Sequence, residues 1–201
     1  MVRVLAFDVD GVLTCGGCST KRRQEQLDAV RSMLTHARRN GYKVAVNTAR
    51  TYGVEGIMET TTLSGVHSDL TNELVRANGG EPVPVCYRPS GMRVAERKME
   101  CLSQLADKFR MNGEDDNGEL DRAILVEDNT VNYSRAGSLL GRRGSHGSPE
   151  GDMLTAGVLV PQANGVTAES GLELVRAMDS QNVLARKVRY VLSASLKIDA
   201  S

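Results

Sequence analysis

The chain has 201 residues, 40% of them hydrophobic, enough to bury the core of one ordinary domain spanning 1–201. Its 25 Lys and Arg balance 25 Asp and Glu, so no global field favours nucleic acid or a membrane surface. With 3% aromatic residues and no Trp, a site built on stacked bases is disfavoured, and four Cys are too few for a disulfide scaffold, which makes a reducing, cytoplasmic setting the expectation.

Met1-Val2-Arg3 and four apolar residues precede Asp8, too short for a signal peptide, and no apolar run reaches membrane-spanning length. Val2–Phe7 is apolar and β-branched and ends on acid, the pattern of a buried parallel strand. Leu27, Val30, Leu34 and Ala37 share one face of a helix predicted over 24–40, with Gly41 at its C-terminal end. Lys43–Val46 predicts a second strand ending at Asn47-Thr48, and residues 51–80 read as short elements. Val83–Tyr87 predicts a third strand, placed toward an edge by Pro84. A helix follows over Val94–Phe109, then an acidic loop over Asn112–Glu119. Ala123–Val126 predicts a strand ending on Glu127-Asp128, with a helix from about Val131. Gly141–Gly151 is a Gly-, Ser- and Arg-rich loop, Val158–Val160 a fifth strand, and helices near Ala168–Met178 and Val183–Leu196 close the chain.

Strands alternating with helices predict an α/β fold: a Rossmann-like parallel sheet with helices on both faces. Sites in such sheets lie at the carboxyl ends of the strands, which singles out Asp8, Asp10, Thr48, Glu127 and Asp128. In Asp8-Val9-Asp10-Gly11, two carboxylates leave a strand into a glycine turn, where they can converge on one cation. Burying both is costly without positive charge between them. Thr48 adds a hydroxyl and neighbouring backbone N–H groups for a phosphoryl oxygen, and Lys98 opens the helix between the strands. An oxygen-rich acidic site with one lysine suits Mg²⁺ and a phosphate.

The order Asp8-x-Asp10, Thr48, Lys98, Glu127-Asp128, in the strings VLAFDVDGVLT, KVAVNTAR, ERKMECLSQLA and ILVEDNTVN, resembles the four motifs of the haloacid dehalogenase-like phosphohydrolases. The third string is the least specific, and Arg93 and Arg97 compete with Lys98 for its cation. The resemblance runs from residue 2 to about 137, and the rest suits the same Rossmannoid fold. One departure is Asn132, standing where many members carry a second acid; an asparagine there can still hold a metal-bound water. A receiver domain would order its acids and lysine differently, and the chain has no G-x-x-x-x-G-K-[ST] string for a P-loop. Dehalogenating relatives lack the second Asp, so Asp10 points to phosphoryl transfer.

The resemblance implies that Asp8 is the nucleophile, Asp10 the general acid and base, and that Thr48 and Lys98 hold the transferring oxygens. Mg²⁺ would be bound by Asp8, the Asp10 carbonyl and Asp128, while Glu127 would orient Lys98 or a metal-bound water. The implied reaction is hydrolysis of a phosphomonoester; the alternative is a catalytically weak binding or scaffold protein. Little length is left for a cap insert, so an uncapped site would borrow its missing wall from a macromolecular substrate or a neighbouring subunit.

The remaining motifs read blandly. His36, His67 and His146 lack metal-site or relay spacing. Cys15-Gly16-Gly17-Cys18 reads as two reduced thiols in a flap, with a redox pair as the sharper alternative, and Cys86 and Cys101 read as unpaired. Arg22-Arg23, Arg38-Arg39 and Arg142-Arg143 read as solvated surface, unless the last pair reaches the site rim to hold a polyanionic substrate.

Overall fold

The structure is a computed structural model that describes residues 1–50, 56–87, 94–111, 120–137, 153–161 and 165–198. The loops predicted over Asn112–Glu119 and Gly141–Gly151, including Arg142-Arg143 and His146, lie outside the described residues, as does Arg93. The elements in chain order are β1 (Arg3–Phe7), α1 (Thr20–Arg39), β2 (Lys43–Asn47), β3 (Gly56–Thr60), α2 (Ser68–Ala77), β4 (Val83–Tyr87), α3 (Val94–Met111), β5 (Asp121–Glu127), α4 (Thr130–Ala136), β6 (Met153–Leu159) and α5 (Ala168–Ile198).

Six strands form one sheet in the order β3-β4-β2-β1-β5-β6. All neighbouring pairs are parallel except β3 with β4. Side chains alternate across β1 as the period of a strand requires. Leu5 and Phe7 pack with α1, α2 and α5 through Leu27, Val30, Leu70, Leu74, Leu174 and Met178. Val4 and Ala6 pack on the opposite face with Leu102, Leu105 and Phe109 of α3 and Ala136 of α4. Helices therefore cover both faces of a mostly parallel sheet, an α/β Rossmann-like architecture. Among the described residues, no helix is long and apolar enough to cross a membrane.

Three expectations change. Pro84 does not put β4 at the edge, because β3 pairs antiparallel beyond it, with Glu59 opposite Pro84. The proline costs no bond to β2, whose ladder with β4 holds only Val46↔Val85 and Asn47↔Cys86. The two closing helices are one, α5: buried Gln181, in the polar stretch that reads as a break, accepts from Tyr42 Oη at 2.7 Å and donates to the Ala123 and Leu154 carbonyls at 3.0 Å. The four cysteines are not free thiols: Cys15 is bonded to Cys18, and Cys86 on β4 to Cys101 on α3.

Candidate active site

β1 delivers Asp8 to the sheet's carboxyl edge, where its N–H continues the ladder to the Val126 carbonyl at 2.9 Å. The chain then makes a wide turn closed by Thr14 N–H on the Val9 carbonyl at 2.9 Å. Thr14 Oγ1 locks it further, accepting from Gly11 N–H at 3.1 Å and donating to the Val9 carbonyl at 3.1 Å. Within the turn Asp10 is extended and Gly11 has φ 71°, a left-handed conformation that a side chain would strain. The turn is supported from the far end of the chain: Gly165 N–H donates to the Gly11 carbonyl at 2.9 Å and Val166 N–H to the Val12 carbonyl at 3.1 Å. Arg22 donates to the Gly165 and Val166 carbonyls, and buried Gln26 to those of Val12 and Leu13.

This geometry sends the two acids different ways. Asp8 is buried and Asp10 is exposed. Asp8 Oδ1 accepts from Val9 N–H at 2.7 Å and lies 2.9 Å from Lys98 Nζ. Among the described residues, Oδ2 accepts no hydrogen bond. The Lys98 side chain is 1% exposed, and its ammonium also meets Glu127 Oε2 at 2.9 Å and donates to the Asn47 carbonyl at 2.6 Å. Asn47 Nδ2 returns a bond to the Lys98 carbonyl at 2.8 Å. Arg97, the competing cation, is turned elsewhere, donating to the Tyr87 carbonyl and pairing with Glu100.

Burial raises the Asp8 carboxyl to about 6, with the Glu127 charge adding and Lys98 opposing. Glu127 Oε1 accepts from Asn129 N–H at 3.1 Å, and Asn129 in turn caps α4 through Val131 and Asn132 N–H. Glu127 Oε2, at the ammonium, is not aligned for a hydrogen bond and remains a buried acceptor without one. Asn132 is buried in the first turn of α4.

No protein-family model matches the chain, and no curated protein is significantly similar to it. The chemistry of the site therefore stands on its own residues.

Ligand oxygens of Asp8, Glu127 and Asp128 lie within 4.8 Å of one another. Three carboxylates against one ammonium leave net negative charge at a partly buried edge, and the donors are all oxygen. The residues fit a small divalent cation such as Mg²⁺. The Asp10 carboxylate is not part of that cluster.

Thr48 is buried beyond β2, but its surroundings differ from expectation. Its N–H is spent on the Cys86 carbonyl at 3.1 Å, and its Oγ1 accepts from Arg50 N–H at 3.2 Å. The Thr48 and Arg50 N–H groups are therefore spent, leaving the Thr48 hydroxyl hydrogen and the Ala49 N–H for an anion. Arg50 itself escaped sequence reasoning. Its Nη2 and Nε hold Asp10 Oδ1 at 2.6 Å and Oδ2 at 2.9 Å, and its Nη1 bonds the Ser64 carbonyl. That fork holds the Asp10 carboxyl below its usual range, its hydrogen bonds being the leading cause. The signal was a cation two residues past Thr48 in a strand-end turn. Asn47 was visible at the end of β2, but nothing in its spacing marked it as the lysine's partner.

Proposed function

We propose that the chain is a Mg²⁺-dependent phosphomonoesterase of the haloacid dehalogenase-like kind, acting through an aspartyl-phosphate on Asp8. The observation that carries this reading is the Asp8–Lys98–Glu127 arrangement, a buried strand-end carboxylate with a buried ammonium 2.9 Å away. Two contacts fix Oδ1, while Oδ2 keeps its lone pairs for attack. The motif order of the sequence supports the same reading.

Asp8, the Asp10 carbonyl and Asp128 would hold Mg²⁺, which when bound neutralises phosphate charge and orients the ester. Asp8 attacks phosphorus and forms the P–O bond as the ester P–O bond breaks. Asp10, at the exposed rim, must leave Arg50 and take up a proton before it protonates the departing alkoxide, and its carboxylate then takes a proton from the attacking water. Water hydrolyses the aspartyl-phosphate, releasing inorganic phosphate and restoring Asp8. Lys98, placed between Asp8 and Glu127, stabilises the transferring oxygens, and Thr48 donates its hydroxyl hydrogen to one of them.

The test is hydrolysis of p-nitrophenyl phosphate with and without Mg²⁺, using Asp8→Asn as control. Mg²⁺-dependent release that Asp8→Asn abolishes is expected. Retention of more than a tenth of the turnover by Asp8→Asn removes Asp8 from its role. Mg²⁺ binding without any hydrolysis favours the binding-protein alternative.

A further inference from the structure

We infer that Arg3 and Arg122 form an anion site at the amino-terminal edge of the sheet, opposite the candidate active site, which takes a small tetrahedral oxyanion such as phosphate. The two are register partners on the parallel neighbours β1 and β5. That register sends both side chains out of one face, from strands only about 4.8 Å apart. It is the face on which Leu5 and Ile124, two residues further along each strand, pack with α1 and α5. Arg122 is 5% exposed and Arg3 partly buried. Two guanidiniums are thus held side by side where uncompensated charge is costly.

Among the described residues no carboxylate pairs with either. Asp121, the acid nearest in sequence, alternates to the other face of β5. There it accepts from Val2 N–H at 2.9 Å and pairs with Arg110 of α3. What the two arginines meet instead is neutral. Arg3 Nη1 donates to the Asn40 carbonyl, and Arg122 Nη1 to Asn182 Oδ1. Tyr42 lies beside both, its hydroxyl oxygen turned to Arg122 and its hydrogen given to Gln181 at 2.7 Å. Burial, and then the Arg3 charge, push the Arg122 guanidinium below its ordinary value.

The deciding feature is the Nε–H of each arginine, which is buried and has no hydrogen-bond partner. Buried donors are seldom left so, and two on adjacent cations point to an ion that satisfies both. Each guanidinium is already fixed at Nη1, so its remaining donors are set before a ligand arrives. A tetrahedral dianion offers oxygens to both forks and places negative charge between them. A planar monoanion such as acetate serves one fork and leaves the other donor unmet. Arg3 and Asn182, both partly exposed, leave the ion a way in from solvent.

Calorimetry on the full chain in EDTA tests this, with inorganic phosphate, sulfate and acetate titrated at constant ionic strength. Phosphate and sulfate should bind wild type more tightly than acetate does. Arg3→Gln should weaken phosphate by at least about tenfold, the loss of one charge-assisted contact. Arg3→Lys, which keeps the charge but lacks Nε–H, should fall between, and it carries the test should Arg3→Gln not fold. Glycerol 3-phosphate, titrated alongside, separates a free ion from a phosphate borne on a larger molecule; either one, lost in Arg3→Gln, supports the site. Phosphate that binds wild type no better than acetate overturns the assignment. So does phosphate that binds the Arg3 variants as it binds wild type, which would place the ion elsewhere. With no Mg²⁺ present and no turnover read, neither result depends on the phosphatase reading.

Discussion

Asn47 and Lys98 hold each other at both ends, the side chain of each bonding the backbone carbonyl of the other. The exchange ties the end of β2 to α3 and fixes the ammonium between Asp8 and Glu127. Lys98→Met should destabilise the protein by about 3–5 kcal/mol at pH 7, since two buried acids lose their counter-charge. Asn47→Ala should cost less, about 1–3 kcal/mol, because only one buried bond is lost and the lysine keeps its acids. Urea denaturation gives both values; a Lys98→Met loss under 1 kcal/mol would mean the acids are not buried as described.

Asp8 titrates abnormally, and its sign can be worked out. The native carboxyl, raised to about 6 mainly by burial, keeps its proton where the unfolded one, near 3.8, has lost it. The native state therefore binds more protons across that interval, and Asp8 lowers stability as pH rises through it, by on the order of 2–3 kcal/mol. In EDTA, the stability of Asp8→Asn relative to wild type should grow between pH 4 and 6.5 and then level off. A difference that shrinks with rising pH contradicts the burial described.

On the phosphatase reading proposed above, metal removal should abolish turnover. EDTA should remove it, Mg²⁺ should restore it, and Ca²⁺ should inhibit, because its longer bonds and larger ligand set would allow Asp8 to bind through both oxygens and lose its attacking one. Equal rates with Mg²⁺ and Ca²⁺ would sink this account. Asn132→Asp should tighten Mg²⁺ binding, measured by calorimetry; unchanged affinity would place that residue outside the metal's reach.

The Cys86–Cys101 bond joins β4 to the helix carrying Lys98, closing a loop with sequence separation 15. Opening it should cost about 3 kcal/mol through the entropy returned to the unfolded chain. Dithiothreitol should lower the melting temperature of wild type but not of a Cys86→Ala/Cys101→Ala double variant. An unshifted wild-type melt would show the bond contributes nothing.

The sheet rule made the site legible: Asp8, Thr48, Glu127 and Asp128 end parallel strands, so the fold brings them to one edge whatever their spacing. Lys98 needed more, because three cations crowd one helix start and only tertiary packing selects the one that turns inward. β3 was hidden because its residues, GIMET, are exposed or half-buried and show no apolar run. α5 read as two helices because Gln181 looks like a break in apolar periodicity, whereas it is a buried donor to two strand carbonyls. The Cys86–Cys101 pairing was invisible for the same reason: it depends on which turn of α3 faces β4.

The turn bearing Asp8 and Asp10 is braced by Gly165 and Val166, which lie far along the chain from it. Contacts between such distant positions form only after the intervening chain has been ordered, and their loop closure is costly. A growing polypeptide would hold all four acids and the lysine while lacking the brace that shapes the turn. On the phosphatase reading proposed above, activity should require that brace, and a fragment ending before residue 165 should fold its central strands without acquiring activity.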